Sequence, residues 1–213
     1  MYEAVVIGGG GHARVVLCVL KKIGIYRIIG YTDNVDRGKL LGVEYLGDDH
    51  VLDVVKQKYP ECAVVLGLGQ LTMSDVEKRA HIRSLLERWK FTMPPVKSPD
   101  AVINREVELG EGTVVLDGAV INSGTCIGKD AIINTNATVE HDCRLGDAVH
   151  VACGAVLSGG VRVGSRTLVG AGATVVHGVA IGEDCIIGAG AVVAENCLDP
   201  GTYVGVPARK IVK

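Results

Sequence analysis

From Ile103 onward an aliphatic residue returns every six positions without a skipped step. Ile103, Leu109, Val115, Ile121, Ile127, Ile133, Val139 and Leu145 begin the series. Val151, Leu157, Val163, Val169, Val175, Ile181, Ile187 and Val193 continue it to sixteen hexads. The fourth residue after each is small in nearly every case, as at Thr113, Ala119, Ala131, Ala137, Ala155 and Ala191. A period of six is neither the 3.6 of an α-helix nor the alternation of a half-buried strand. It reads as a parallel β-helix, each hexad giving one short strand and one corner. Gly110, Gly128, Gly146, Gly164 and Gly182 are expected to ease the corners. A narrow prism has little room for rings, which fits a chain that is 48% hydrophobic and only 4% aromatic. Cys143, Cys185 and Cys197 fall in the small slot and read as core packing.

Residues 1–95 follow a different pattern. "EAVVIGG", "YRIIGYTD" and "CAVVLGLG" read as three strands, alternating with helical stretches at "HARVVLCVLKKIG", "HVLDVVKQKY" and "MSDVEKRAHIRSLLERWK". Ser74 is the expected cap of the last helix, with Glu77 at the capping-box position. Strands alternating with helices imply a small parallel α/β sheet. "TMPPVKSPD", with three prolines, marks a linker before the second domain, residues 96–213.

The run "VIGGGGHA" leaves a strand and opens a helix, so its amide N–H groups and the helix dipole suit a phosphate. Gly8, Gly10 and Ala13 match the G-x-G-x-x-A spacing, and Asp33 follows where a ribose-binding acid belongs. With three strands and no second mononucleotide half, a phosphate-bearing nucleotide is favoured over a nicotinamide dinucleotide or a purely structural turn. His12, directly after the glycines, is placed to donate to that ligand or to cap the helix.

Composition closes off several classes. Net charge is -2, the isoelectric point is near 6.3 and no basic run appears, which argues against nucleic acid. No uncharged apolar stretch approaches the ~20 residues that span a bilayer. The acid at Glu3 precedes the first apolar run, so no signal peptide is read. Seven cysteines, an odd count without a C-x-x-C pair, argue for reduced thiols and a cytoplasmic protein.

The corner arithmetic locates two histidines. One turn of a three-sided prism takes 18 residues, and turns stack about 4.8 Å apart. His141 is the third residue of its hexad and is expected at a corner, pointing outward. Ser123 precedes it in the column and Gly159 follows, leaving a gap expected to admit a ligand. His150 lies half a turn away and is also expected to point outward. Two such groups meet more easily across an interface between prisms than within one chain. Both being plain surface residues is one alternative. Zinc held by His141, His150 and His177 is another, disfavoured because His177 is two turns, roughly 10 Å, from His141.

With "IGGGGHARVV", "YTDN", "NTNATVEHDCRLGDAVHVACGAVLSG" and "YVGVPARKI" in view, the whole chain resembles the sialic acid O-acetyltransferase-like family. That family includes bacterial nucleotide-amino-sugar N-acetyltransferases. The resemblance implies a Rossmann-like α/β domain followed by a left-handed parallel β-helix with a C-terminal tail, assembled as a homotrimer with active sites between subunits. It implies acetyl-CoA as cosubstrate, no metal, and a nucleotide-linked amino sugar as acceptor, for bacterial surface glycan biosynthesis. His141 matches the general base, Asp142 its acidic partner, and His150 a histidine near the acetyl group. Gly8, Gly10, Gly11, His12, Asp33 and Asn34 match the sugar-nucleotide motif. Gly159, Ala171, Ala189, Pro207 and Arg209 are implied to contact the coenzyme. "PPVKSP" departs from the pattern, since many relatives carry a histidine before the proline.

A base near neutral pKa suits deprotonation of an attacking amine. Adjacent residues in a regular strand point apart, so a His141–Asp142 contact depends on the corner. O-acetylation of a sialic acid or related sugar is the nearest alternative. A γ-carbonic-anhydrase-like metal enzyme and a non-catalytic β-helix scaffold are more remote.

Overall fold

The computed structural model describes residues 1–211, and the chain divides into two compact units between Pro99 and Asp100. The break falls beyond residue 95 because the proline segment is built into the first unit. Thr92 forms a parallel bridge with Ala63 at the edge of the first unit's sheet.

The first unit alternates strands and helices: β1 (Tyr2–Ile7), α1 (Gly11–Ile23), β2 (Tyr26–Thr32), β3 (Tyr45–Gly47), α2 (Leu52–Lys58), β4 (Ala63–Leu66) and α3 (Met73–Arg88). The strands form one parallel sheet in the order β3-β2-β1-β4. Three strands were expected, and β3 is the fourth. At three residues it is too short to show an apolar run. The central strand β1 is buried from Ala4 to Ile7, as a strand covered on both faces requires. α1 buries Ala13, Val16, Leu17, Val19 and Leu20 on one stripe and stops at Gly24, whose φ of 72° lets its N–H reach the Leu20 carbonyl. α3 starts at Thr72 rather than Ser74. The Asp75 N–H donates to Thr72 Oγ1 at 3.2 Å and the Thr72 N–H to Asp75 Oδ2 at 2.9 Å. Ser74 and Glu77 repeat the same spacing two residues late, and burial of Val76 sets the register.

The second unit is a left-handed β-helix of two-residue strands on three parallel faces. Partners lie 18 residues apart, as in Thr138↔Val156, Arg144↔Arg162 and His150↔Leu168. The hexad aliphatics and the small slot form one continuous core from Val115 to Ala208. Every sixth residue from Glu106 to Gly190 takes the left-handed conformation, among them Asp130, Asn136, Asp142 and Asp184. Asn and Asp enter that region more readily than other side chains, and they hold four of these corners where glycine is absent, Glu106, Ala148 and Arg166 holding the others. Gly110, Gly128, Gly146, Gly164 and Gly182 are not at these bends. Their φ is ordinary, and a Cβ at Gly110 would sit 2.4 Å from the Gly128 carbonyl carbon. That column needs glycine because successive turns approach backbone to backbone.

The tail folds over the last coil. Gly201–Val204 joins one face, Arg209–Lys210 pairs antiparallel to it, and the Ala208 N–H donates to the Val192 carbonyl. Among the described residues, no helix is long and apolar enough to cross a membrane.

Candidate functional site

His141 stands at the corner between the Thr138–Val139 and Arg144–Leu145 strands. Its Nδ1 lies 2.8 Å from Asp142 Oδ2. A carboxylate only accepts, so Nδ1 carries the proton and Nε2 is the basic nitrogen. Both side chains are more than half exposed, at 56% and 71%. Two glycines box the pair along the prism. A Cβ at Gly124 would come within 2.7 Å of Asp142 Oδ1, and one at Gly159 within 2.6 Å of His141 Nε2. The gap above Gly159, expected to admit a ligand, is therefore filled by the His141 ring itself. The same lean brings His141 and His177 to 6.4 Å between ring centroids, closer than the turn spacing alone predicts.

A side-chain ladder beside this corner escaped the sequence reading. Asn104 Nδ2 donates to Asn122 Oδ1 at 2.5 Å, and Asn122 Nδ2 to Glu140 Oε2 at 2.8 Å. The His141 N–H reaches the same Glu140 oxygen at 3.3 Å. The available signal was three polar residues spaced 18 apart, at 104, 122 and 140.

His150 does not point into solvent as expected. It is only 3% exposed, and its column neighbours on the two preceding turns, Val114 and Ile132, are equally buried. Its Nε2 lies 3.1 Å from Asn134 Nδ2. Asn134 Oδ1 accepts the Thr135 N–H at 2.8 Å, which turns the amide donor toward the histidine and makes Nε2 an acceptor. His141 and His150 belong to different walls of the prism, and one chain does not bring them together.

In the first unit a cavity of about 610 Å³ opens at the carboxyl ends of the strands, where β1 and β4 diverge in chain order. Ligands of open α/β sheets bind at such a crevice. Gly8, Asp33 and Asn34 line it, together with Asp48, Asp49, His50 and, from α3, Lys78 and His81. The residues after β3 were missed along with that strand. Gly10 caps the N-terminus of α1 and Gly11 and His12 open its first turn, all three outside the lining.

The four glycines divide into two kinds. Gly8 has φ 101°, and a Cβ at Gly9 would meet the Tyr31 ring at 2.7 Å. Gly10 has an extended φ of -79°, and a Cβ at Gly10 or Gly11 would meet nothing within 4 Å. The fold requires the first pair, while the second pair leaves open space at a helix N-terminus with no acidic residue in its first turn. Asp33 braces the loop: Oδ2 accepts the Gly9 N–H at 2.6 Å and Oδ1 the Val35 N–H at 2.9 Å.

The expected coenzyme residues occupy two edges of one face. Gly159 lies under His141, and Arg209 lies 3.8 Å from Glu195. By register Glu195 is three turns beyond His141, roughly 14 Å along the same corner. Ala171 and Ala189 are exposed at the opposite corner, and Pro207 is exposed in the tail. Among the described residues no group of three or more His, Cys, Asp or Glu side chains is arranged to hold a metal.

A hexad-built prism with a histidine–carboxylate pair at one corner, preceded by an α/β unit with a ligand-sized crevice, defines a hexapeptide-repeat transferase. Residues 3–73 match the PglD N-terminal domain, and residues 160–195 match the bacterial transferase hexapeptide of six repeats. No curated protein matches the chain. Among solved structures it is similar to the acetyltransferase domain of PglB from Neisseria gonorrhoeae FA1090 in complex with acetyl coenzyme A. Identity there is 31% over 98% of both chains, with a TM-score of 0.91. Identity to PerB, the perosamine N-acetyltransferase of Caulobacter crescentus in complex with CoA and GDP-perosamine, is 37%. That match covers 100% of this chain and 98% of the other, with a TM-score of 0.90. WeeI from Acinetobacter baumannii AYE is 27% identical over 99% and 100%, with a TM-score of 0.87. The chain belongs to this family of acetyltransferases, in which a PglD-type domain precedes the hexapeptide repeats.

Proposed function

We propose that the chain transfers the acetyl group of acetyl-CoA to the amine of a nucleotide-linked amino sugar, for bacterial surface glycan biosynthesis in the cytoplasm and without a metal. The observation that carries this reading is the His141–Asp142 pair, in which the carboxylate holds Nδ1 and leaves Nε2 as the basic nitrogen of a side chain that is more than half exposed. His141 takes a proton from the acceptor nitrogen as it attacks the thioester, and Asp142 orients the ring and stabilises the imidazolium. The acceptor's nucleotide lies in the cavity of the first unit, with its phosphates at Gly10, Gly11 and His12 and its sugar reached past Asp33 and Asn34. The bound GDP-perosamine of the Caulobacter relative and the bound acetyl coenzyme A of the Neisseria relative support the two substrate classes. The finer assignment is to the sialic acid O-acetyltransferase-like group.

The working unit is a homotrimer with sites between subunits. The face ending at His141 presents an outward column of Val102, Val120, Thr138, Val156, Thr174 and Val192, half-buried or exposed. A contiguous β-branched stripe of this kind fits a second copy. A neighbour docked there brings its own wall against the His141 corner. Ala171 and Ala189, at the edge of that wall, would then join His141, with Gly159, Pro207 and Arg209 along the coenzyme, and His150, buried within its own chain, would support the wall from behind.

A thiol-release assay with acetyl-CoA and a panel of nucleotide-linked 3- and 4-amino sugars tests the function. Release with at least one amine acceptor is expected. Release only with a sialic acid or another hydroxyl acceptor would transfer the assignment to O-acetylation, and no release with any acceptor would leave a scaffold. Sedimentation that finds a stable, active monomer would contradict the shared site.

A further inference from the structure

His177 occupies the corner column of His141 two turns further along the prism, and the two rings lie 6.4 Å apart with an interplanar angle of 46°. Two glycines make this approach possible. The His141 ring leans over Gly159, and a Cβ at Gly160 would come within 3.9 Å of His177 Cε1. Both rings thus converge on a floor of backbone. Asp142 holds Nδ1 of His141, so Nε2 is the nitrogen that lies over Gly159 toward His177. His177 is itself exposed, and among the described residues no carboxylate is paired with it. Nothing in the packing of the coil calls for an imidazole here.

The proton balance of the reaction gives it a task. Primary amines resembling an α-amino group, with pKa about 7.7–8, reach an enzyme at neutral pH mainly as R–NH3+. The product amide keeps one N–H, so nitrogen loses two protons per turnover. The C–N bond forms, the C–S bond breaks, and the departing thiolate takes one proton to become CoA–SH. The second proton must reach solvent: R–NH3+ plus CH3CO–S–CoA gives R–NH–COCH3, CoA–SH and H+. His141 Nε2 can hold one proton at a time, and it must be emptied while two substrates cover it.

We propose that His177 is the proton exit of this corner, taking the first amine proton from His141 and passing it to water. The charged groups that face this route are Asp142 and Glu140 beside His141. One turn above His177 lie Glu195 and the Arg209 guanidinium that neighbours it. An imidazole suits the task because it accepts on one nitrogen and donates from the other. The proposal rests on the N-acetyltransferase reading above.

His177→Gln keeps a polar side chain of similar size but cannot carry a proton. With acetyl-CoA and GDP-perosamine as probes, both KM values should stay unchanged while kcat at about pH 6.5 falls roughly 10-fold or more. At about pH 9, where the amine arrives neutral, kcat should return to near the wild-type value. Added imidazole should restore the rate at the lower pH. A loss that is equal at all pH values and is not rescued would make His177 a packing support only. An unchanged kcat at the lower pH would make it a bystander. Either result overturns the proposal. Ring-proton NMR of the free protein keeps it testable without an acceptor. The His141 ring signals should register the titration of His177 as a second inflection, lost in His177→Gln. A single inflection in both proteins would overturn the proton link even if the acceptor proved to be a hydroxyl.

Discussion

The imidazole of His141 and the carboxylate of Asp142 meet at 2.8 Å although the residues are neighbours in sequence. Along a strand such side chains point apart. Here Asp142 holds the left-handed corner position, with φ 59°, and the backbone bend swings its carboxylate back beside the ring. Asparagine tolerates the same conformation, so Asp142→Asn isolates the chemistry from the bend. Its amide no longer fixes the tautomer. Turnover should fall roughly 10- to 100-fold while the melting temperature hardly moves. Wild-type turnover in Asp142→Asn would show that the ring needs no orienting anion.

Gly159→Ala should silence the corner without unfolding it. The backbone there is ordinary, so alanine costs nothing conformationally and restricts the unfolded chain. The new Cβ, however, would lie 2.6–2.7 Å from His141 Nε2 and Cε1 and must push the ring aside. The expected result is kcat lowered nearly as far as by removing the imidazole, with equal or slightly higher thermal stability. A fully active Gly159→Ala enzyme would mean that the ring position seen here is not the working one.

The glycine loop offers an internal control. Gly10→Ala and Gly11→Ala should fold normally and raise the acceptor KM, because the space they open is reserved for phosphate. Gly8→Ala, at φ 101° and 2.8 Å from Leu68 Cδ2, should instead destabilise the first unit by about 1 kcal/mol or more. Thermal melts and acceptor kinetics on the three variants separate the two roles. Equal destabilisation by all three would make the whole run structural.

Arg166 and Asp184 staple two turns of the coil through bonds of 2.7 and 2.8 Å. The Arg166 guanidinium holds the Asp184 carboxyl below its usual range. A depressed folded-state pKa adds stability above the unfolded value of about 3.9, and that stability is lost as pH falls through the folded value. Both groups are partly exposed, so Arg166→Ala should cost no more than about 1 kcal/mol at neutral pH. Denaturation of both proteins should converge as the pH drops well below 4, roughly the ordinary carboxylate range. A difference that persists in acid would have to come from packing.

Much of this fold is legible in the order of residues. The hexad rule from Ile103 to Val193 specifies strand, slot and corner because stacking repeats one steric problem on every turn. The helices of the first unit are legible through their apolar stripes. β3 was not, since three half-buried residues carry no period, and with it went Asp48, Asp49 and His50 of the cavity wall. At the site, the column arithmetic placed His141 at its corner but could not say which way a ring leans. The ring fills the notch over Gly159, and His177 comes near for the same reason. His150 was misjudged because strand alternation separates inner from outer residues, whereas burial of an outer residue depends on what covers that face. The Asn104–Asn122–Glu140 ladder was visible as a spacing, but only geometry turned it into hydrogen bonds.

The most direct test of the account is the turnover number of His141→Asn. Asparagine at an exposed corner should leave the oligomer, the melting temperature and the binding of both substrates in place. If Nε2 of His141 removes the amine proton, kcat should drop roughly 10²- to 10⁴-fold, and the acidic limb of the wild-type pH profile should vanish with it. A His141→Asn enzyme that retains near wild-type kcat would contradict the assignment and leave the acceptor amine to arrive already deprotonated from solvent.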